Sequence, residues 1–292
     1  MLRKKQVYFI INPIAGGKNK RKFAQQANKI LDLQHFSPNY QFTERPGHAA
    51  ELALAAVKGL ADIVVAVGGD GTINEVASAL VNKTTPLGII PNGSGNGLAL
   101  FLGIPANVNK ALTKLNQYNV RTIDSGFING KPFFNMAGFG FDALISHRFV
   151  HTNIRGAFGY LKIILSEIRR YVPTKYVIEI DGVRYQRDAF MISLANSPQY
   201  GNNAYISPKA SVEDGLLDVC IIKPFPVYKL PELMYQLFNK KADKSNYVEI
   251  IKGKEMKIRA VEPQFVHLDG ESQPQQELLH VKINPASLRV IY

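Results

Sequence analysis

The chain has 292 residues, 46% of them hydrophobic, and a formal net charge of +12 at pH 7. That is apolar material for two cores, and it excludes a disordered polar chain. A single cysteine, Cys220, excludes an intramolecular disulfide and every multi-cysteine metal site, which suits a reducing compartment.

The run Val7–Ile11 follows basic residues as a secretory leader would, but it stops after about five residues at Asn12-Pro13, with no small-residue cleavage site. It reads instead as a first strand. The pattern then predicts a helix over Arg21–Leu31, a strand over Tyr40–Thr43 and a helix over His48–Lys58. A strand Ile63–Val67, a helix Ile73–Val81 and a strand Leu87–Ile90 follow, then helices Leu98–Leu102 and Val108–Leu115. This alternation argues for a parallel sheet with helices on both faces, and such sheets bind ligands beyond the carboxyl ends of their strands.

Beyond Val120 the character changes. Short strand-like runs are separated by turn signals at Asn129-Gly130, Asp181-Gly182, Gly201-Asn202-Asn203, Asp214-Gly215 and Asp269-Gly270. Tyr176–Ile180 and Val183–Arg187 read as a hairpin, and Ala189–Ala195, Leu217–Lys223, Glu255–Val261 and Leu278–Ile283 continue as strands. One helix, about Gly156–Tyr171, interrupts them. The expected fold class is α/β: an N-terminal parallel-sheet nucleotide-binding domain, 1–122, with the tail 284–292 as a candidate addition to it. A mostly β, sandwich-like domain, 123–283, follows.

The charge suits anionic partners: nucleotides, nucleic acid or an anionic membrane face. Nucleic acid is disfavoured, because zinc-finger spacing, RNP-like aromatics and a basic heptad region are all missing. No run approaches the roughly 18 apolar residues of a spanning helix. In the 156–171 helix, Phe158, Leu161, Leu165, Ile168 and Val172 fall at helical spacing beside Arg155, Lys162, Arg169 and Arg170. Such a face suits either an anionic bilayer or packing on the β domain.

The most informative stretch is Gly68-Gly69-Asp70-Gly71-Thr72, between a buried-strand pattern and a helix. Glycines let backbone N–H groups approach an anion, and a helix N-terminus adds partial positive charge. A lone acid beside phosphates is repulsive unless a divalent metal or a transferable proton accompanies it. Asp70 therefore suggests phosphoryl chemistry with magnesium. Asn12-Pro13-Ile14-Ala15-Gly16-Gly17-Lys18 follows the first strand and Pro91-Asn92-Gly93-Ser94-Gly95-Asn96-Gly97 the fourth. Asn135–Ala143 and Leu268-Asp269-Gly270-Glu271 complete the set. Neither Walker A spacing nor a full dinucleotide fingerprint is present.

In this order the motifs resemble the diacylglycerol kinase catalytic-domain superfamily, which includes bacterial soluble lipid kinases and sphingosine kinases. The resemblance runs nearly end to end and implies a nucleotide-binding domain like that of NAD kinase and phosphofructokinase. It implies ATP contacts at Asn12, Pro13, Ile14, Ala15, Gly16, Thr43, Gly68, Gly69, Asp70, Gly71, Thr72, Asn74, Ser94 and Asn96. It implies catalytic roles for Asp70, Asp269 and Glu271, leaving open which is the base. A structural magnesium is implied at Ser211, Asp214 and Leu216, and Asp124 and Asp142 are implied near substrate. ATP and Mg2+ are the implied cofactors. The implied partners are a lipid substrate and a transient membrane surface at the cytoplasmic inner face; a homodimer is compatible. Gly-Ser-Gly-Asn at 93–96 is nearer the sphingosine and ceramide kinase version, and Gly97 replaces an aspartate of the bacterial pattern, so the lipid is left open. The competing readings are an NAD kinase-like nucleotide kinase and a non-catalytic lipid- or nucleotide-binding protein.

Overall fold

The computed structural model describes residues 3–17, 22–93, 95–150, 163–201 and 203–292. They divide into two compact units, residues 1–123 with 286–292, and residues 124–285.

The first unit contains β1 (Lys5–Ile11), α1 (Phe23–Ile30), β2 (Phe36–Phe42), α2 (His48–Lys58), β3 (Ile63–Gly68), α3 (Asp70–Leu80), β4 (Leu87–Pro91), α4 (Gly97–Phe101) and α5 (Val108–Gln117). The strands pair in parallel, in the order β4-β3-β1-β2. The chain's last residues return to this sheet, where Val290 pairs with Leu87. Every residue of β3 is buried, which is why its sequence is continuously apolar rather than alternating. Phe9 stacks on Tyr40 and meets Phe23 of α1, centroids 5.2 and 5.7 Å apart, docking α1 over β1 and β2.

Helix α3 begins at Asp70, not at Ile73 as the pattern predicts. Gly69 is extended (φ −92°, ψ −172°), and its carbonyl accepts the Ile73 N–H at 3.0 Å. Asp70, Gly71 and Thr72 thus form the first helical turn, where a carboxylate is favoured by the helix dipole.

Strand β5 (Val120–Ile128) leads into the second unit. There follow β6 (Lys131–Phe133), β7 (Met136–Gly140), α6 (Phe141–Val150), β8 (Thr174–Ile180), β9 (Val183–Ala189), β10 (Met191–Ala195), β11 (Gln199–Gly201) and β12 (Ala204–Tyr205). β13 (Leu217–Ile222), α7 (Leu230–Phe238), β14 (Val248–Gly253), β15 (Glu255–Leu268) and β16 (Glu271–Ile291) complete it. An antiparallel ladder runs β14-β13-β10-β7-β15-β16, with β8 on β15 and β9 on β8. Alternate residues of β13 enter different cores. Leu217, Val219 and Ile221 pack with Tyr176, Ile178, Met256 and Val281. Cys220 and Ile222 pack with Phe141, Ile145, Leu233 and Leu237.

The second core corrects the expectation of a single helix in this half. Helices α6 and α7 both contribute to it, because a sheet buried on two faces needs a cover for each. Of the expected 156–171 helix, residues 151–162 lie outside the described residues, and 163–167 are helical. Ile163 and Ile168 are buried in the second core, while Leu165 and Val172 are 54% and 79% exposed. Packing therefore claims part of the face that the sequence leaves open.

Two-residue turns set the hairpin registers. Asn129-Gly130, Asp181-Gly182 and Asp269-Gly270 all have positive φ at both positions, as tight hairpins require. At Gly126 the Phe133 ring lies across the backbone, and a Cβ there would fall 2.1 Å from Phe133 Cζ. Phe133 is fully buried and has no room to retreat. Gly126→Ala is expected to cost the second unit about 1–3 kcal/mol through overpacking; urea denaturation followed by tyrosine fluorescence measures it.

Candidate active site

Three loops leave the carboxyl ends of β1, β3 and β4, the edge where such sheets bind ligands. Their backbones approach so closely that only glycine fits. A Cβ on Gly16 (φ +67°) would lie 2.5 Å from the Asn92 carbonyl oxygen, and one on Gly93 would lie 2.6 Å from Gly69 Cα. A Cβ on Gly68 would lie 2.6 Å from Thr72 Cβ. Asn12 joins two loops: its N–H donates to Val67 O at 3.0 Å and its side-chain amide to Thr72 Oγ1 at 3.2 Å. Its Oδ1 accepts the Ile14 N–H at 3.1 Å, and Ile14 itself is 82% exposed. Pro13 and Ala15 occupy the same loop.

Asp70 is the clasp of this assembly. Its Oδ2 accepts the Asn96 N–H at 2.7 Å and its Oδ1 the Gly97 N–H at 2.9 Å. A carboxylate on α3 thereby caps the first turn of α4. Gly95 lies against the same carboxylate, 2.7 Å from an added Cβ to Asp70 Oδ2. Asn96 is left-handed (φ +55°) and closes its own turn, accepting the Gly93 N–H at 3.0 Å and donating to the Gly93 carbonyl at 2.8 Å. The structure thus gathers Asn12, Gly16, Gly68, Gly69, Asp70, Thr72 and Asn96. Gly71 lies in the first turn of α3. Thr43 follows β2 and its N–H donates to Ile11 O at 2.9 Å. Asn74 lies further along α3, accepting from Ser78 Oγ at 3.3 Å. Ser94 lies outside the described residues.

In the second unit, Asp269 and Gly270 form the turn between β15 and β16. Asp269 Oδ1 accepts the N–H groups of Asn135 and Met136 at 2.8 and 3.0 Å, and its Oδ2 that of Phe134 at 3.0 Å. Its own N–H donates to Met136 O at 2.8 Å. This side chain ties the turn to the start of β7. Glu271, the first residue of β16, is exposed.

Beside that turn is a buried polar group. Asp142 Oδ2 accepts from His267 Nε2 at 3.0 Å, Tyr200 OH at 3.3 Å and Ser193 Oγ at 3.4 Å. His267 Nδ1 accepts the Gly270 N–H at 3.4 Å, which leaves Nε2 to carry the proton given to Asp142. Asp124, 2% exposed, accepts the Gly215 N–H at 2.8 Å and its N–H donates to Val212 O at 2.7 Å. It anchors the loop 211–216 from below.

That loop is the expected magnesium site. Its donors are hard oxygens, the kind magnesium takes. Ser211 Oγ accepts the Glu213 N–H at 3.2 Å and Asp214 Oδ1 the Leu216 N–H at 3.1 Å. The cation on Asp214 Oδ2 is the Lys252 ammonium, at 2.8 Å, with Asp218 Oδ1 3.4 Å away. The Asp214 bond, ahead of other causes, raises the Lys252 pKa, and burial raises that of Asp218. Among the described residues no group of three or more His, Cys, Asp or Glu side chains is placed to hold a metal. The loop chemistry fits a magnesium ion at Asp214 only in exchange for Lys252.

Lys252 and His267 escape sequence reading. So does Glu75, which accepts the N–H groups of Gly47 and Ala49 at 2.8 and 3.0 Å and ties α3 to the start of α2. None sits at a spacing that announces its partner.

Residues 6–128 match the diacylglycerol kinase catalytic domain, and residues 135–292 match the YegS C-terminal NAD kinase beta sandwich-like domain. The chain belongs to the diacylglycerol kinase catalytic-domain family. It is 29% identical to "Diacylglycerol kinase" of Bacillus subtilis (strain 168), over 91% of this chain and 90% of that one. It is 32% identical to "Probable lipid kinase YegS" of Shigella boydii, over 91% and 89%. The "Crystal structure of a putative diacylglycerol kinase from Bacillus anthracis str. Sterne" superposes with TM-score 0.81 at 25% identity, covering 100% of this chain and 96% of that one. An Archaeoglobus fulgidus NAD kinase shares the fold at TM-score 0.54 and 16% identity, covering 98% and 93%.

The clasp geometry changes what a substitution at Asp70 does. An amide there accepts one of the two N–H bonds and turns a donor toward the other. Asp70→Asn is expected to destabilise the first unit by about 1–2 kcal/mol, read as a lowered urea midpoint. An unchanged midpoint removes the clasp role.

Proposed function

We propose that this chain is an ATP-dependent lipid kinase, transferring the γ-phosphate of ATP to a lipid hydroxyl at the cytoplasmic face of a membrane. The observation that carries the reading is the convergence of three glycine loops on one carboxylate, Asp70, in a chain of this family. The names of the two relatives support a lipid acceptor.

Phosphoryl transfer needs positioning and charge neutralisation more than covalent help. In this reading the loops that follow β1, β3 and β4 hold the nucleotide phosphates, with Thr72 and Asn12 fixed by their mutual bond. Asp70 keeps the loops in register, and its carboxylate would help hold a magnesium ion that accompanies the nucleotide. Magnesium, when bound, neutralises phosphate charge. A second magnesium on the Ser211–Leu216 loop would tune the second unit in exchange for Lys252.

A lipid hydroxyl does not lose its proton freely at neutral pH, so a carboxylate assists. The engagement of Asp269 and the exposure of Glu271 support one assignment. Asp269 is committed to the N–H groups of residues 134–136 and acts as a positioning residue. Glu271, exposed and two residues along the same turn, is the base. The Asp142–His267 pair holds the turn from the other side.

With labelled ATP, magnesium and a total lipid extract, the label is expected on a lipid, identified by mass spectrometry. Label on NAD and on no lipid moves the assignment to a nucleotide kinase, whose fold this chain shares. Label on neither supports a binding protein.

Glu271→Gln, a change at an exposed side chain, is expected to lower kcat by about 10²-fold or more, a loss far beyond any shift in its urea midpoint. Asp269→Asn is expected to lower that midpoint as well, because it breaks up a three-donor cluster. If Glu271→Gln retains most of its turnover, the base is elsewhere.

A further inference from the structure

Exposed apolar side chains are not scattered evenly over this chain. Val227, Tyr228, Tyr235 and Phe238 are 43%, 77%, 58% and 49% exposed, and all lie on or just before α7. Tyr235 and Phe238 fall on neighbouring positions around the helix at about 100° per residue, and Tyr228 lies in the 3-10 turn that leads into it. Leu233 and Leu237, on the other side, are buried in the second core. The helix thus carries apolar rings outside its packed face, beside Glu232 and Asn239, and among the described residues these rings are left to solvent. A helix that needs a single apolar stripe to dock does not need these rings.

The rim of the exposed face is basic. Lys229 pairs with Glu232 at 2.8 Å, and Asp243 is paired with Lys209 at 2.9 Å. Both local acids are therefore neutralised. Lys240, Lys241 and Lys244 follow the helix, are exposed, and have no carboxylate within 4 Å among the described residues. Lys241 lies 5.9 Å over the Tyr235 ring, so charge and aromatic surface adjoin. Tyrosine and phenylalanine beside lysine make the composition of a membrane–water interface, where rings settle at headgroup depth and ammonium groups meet lipid phosphate.

We propose that the Tyr228–Lys244 face docks on an anionic lipid bilayer. The proposal rests on the lipid-kinase reading only for its purpose; the surface stands by itself. The occupant is a bilayer because the face joins lysines that no described carboxylate neutralises to amphipathic rings, with Lys240 lying 4.6 Å over Tyr205 and Lys241 5.9 Å over Tyr235. A second copy of this chain would bring +12 against +12.

The test is sedimentation of the full chain with vesicles of 7:3 phosphatidylcholine to phosphatidylglycerol, about 0.1 M salt, against phosphatidylcholine alone. Wild type is expected to sediment with the anionic vesicles and to be released by high salt. Tyr228→Ser/Tyr235→Ser/Phe238→Ser and Lys240→Glu/Lys241→Glu/Lys244→Glu are each expected to weaken binding about tenfold or more. Both variants should melt with the wild type. The lysine variant changes only exposed side chains and keeps the test open if the aromatic one misfolds. Phosphate transfer to a dispersed short-chain lipid is measured separately, so loss of the kinase reading and loss of this surface are told apart. Equal binding by the lysine variant overturns the proposal. So does a wild type that ignores anionic vesicles. Loss of binding in Arg169→Glu/Arg170→Glu alone places the contact on the other helix. A dimer by light scattering that the aromatic variant dissolves gives the face to a second copy.

Discussion

A carboxylate held by two backbone N–H groups organises the first unit. Asp70 begins α3 and caps α4, so the loops after β3 and β4 cannot move independently. The backbone contact between Gly69 and Gly93 follows from that clasp, and the Gly16 approach to Asn92 brings the third loop against the second. A Cβ on Gly16 or Gly93 would fall 2.5 or 2.6 Å from the backbone of the facing loop, so those loops would have to separate. The glycines are therefore a packing requirement first. Several amides of these loops are spent on the assembly itself: those of Asn96 and Gly97 on Asp70, and that of Gly93 on Asn96.

The same device recurs in both units. Asp269 gathers the N–H groups of residues 134–136, Glu75 those of Gly47 and Ala49, and Asp181 those of Lys254 and Glu255. Asp124 does so for Gly215. In a chain with 23 acids against 35 bases, each of these carboxylates binds backbone amides. A charge-assisted bond to a backbone N–H fixes a loop at one place, whereas an exposed ion pair stabilises little. The loops that matter most for the proposed chemistry are thus held by acids that a list of catalytic candidates would claim.

The second unit follows a different logic. Its sheet is buried on both faces, so β13 feeds two cores with alternate residues. One core forms between strands. The other requires helical cover, supplied by α6, α7 and residues 163–168. Helix α7 gives its Leu233 and Leu237 to that cover and keeps Tyr228, Tyr235 and Phe238 outside.

The sequence by itself determined the class of fold, the strands β1, β3 and β4, helix α2 to the residue, and the hairpin at Asp181-Gly182. These rest on local causes: apolar periodicity, and turn positions that only Asn, Asp or Gly fill easily. It also carried the ordered glycine motifs. Tertiary structure decided the rest. Which carboxylate is committed to backbone amides depends on the register of distant strands: Asp269 meets residues 134–136, and Asp70 meets residues 96 and 97. His267 and Lys252 had no local signal, because their partners lie 125 and 38 residues away. The helices α6 and α7 were overlooked among strand-like runs, since the need for a second cover shows only once the sheet is assembled. Periodicity reports what faces a core. It does not report which acid the fold has already engaged.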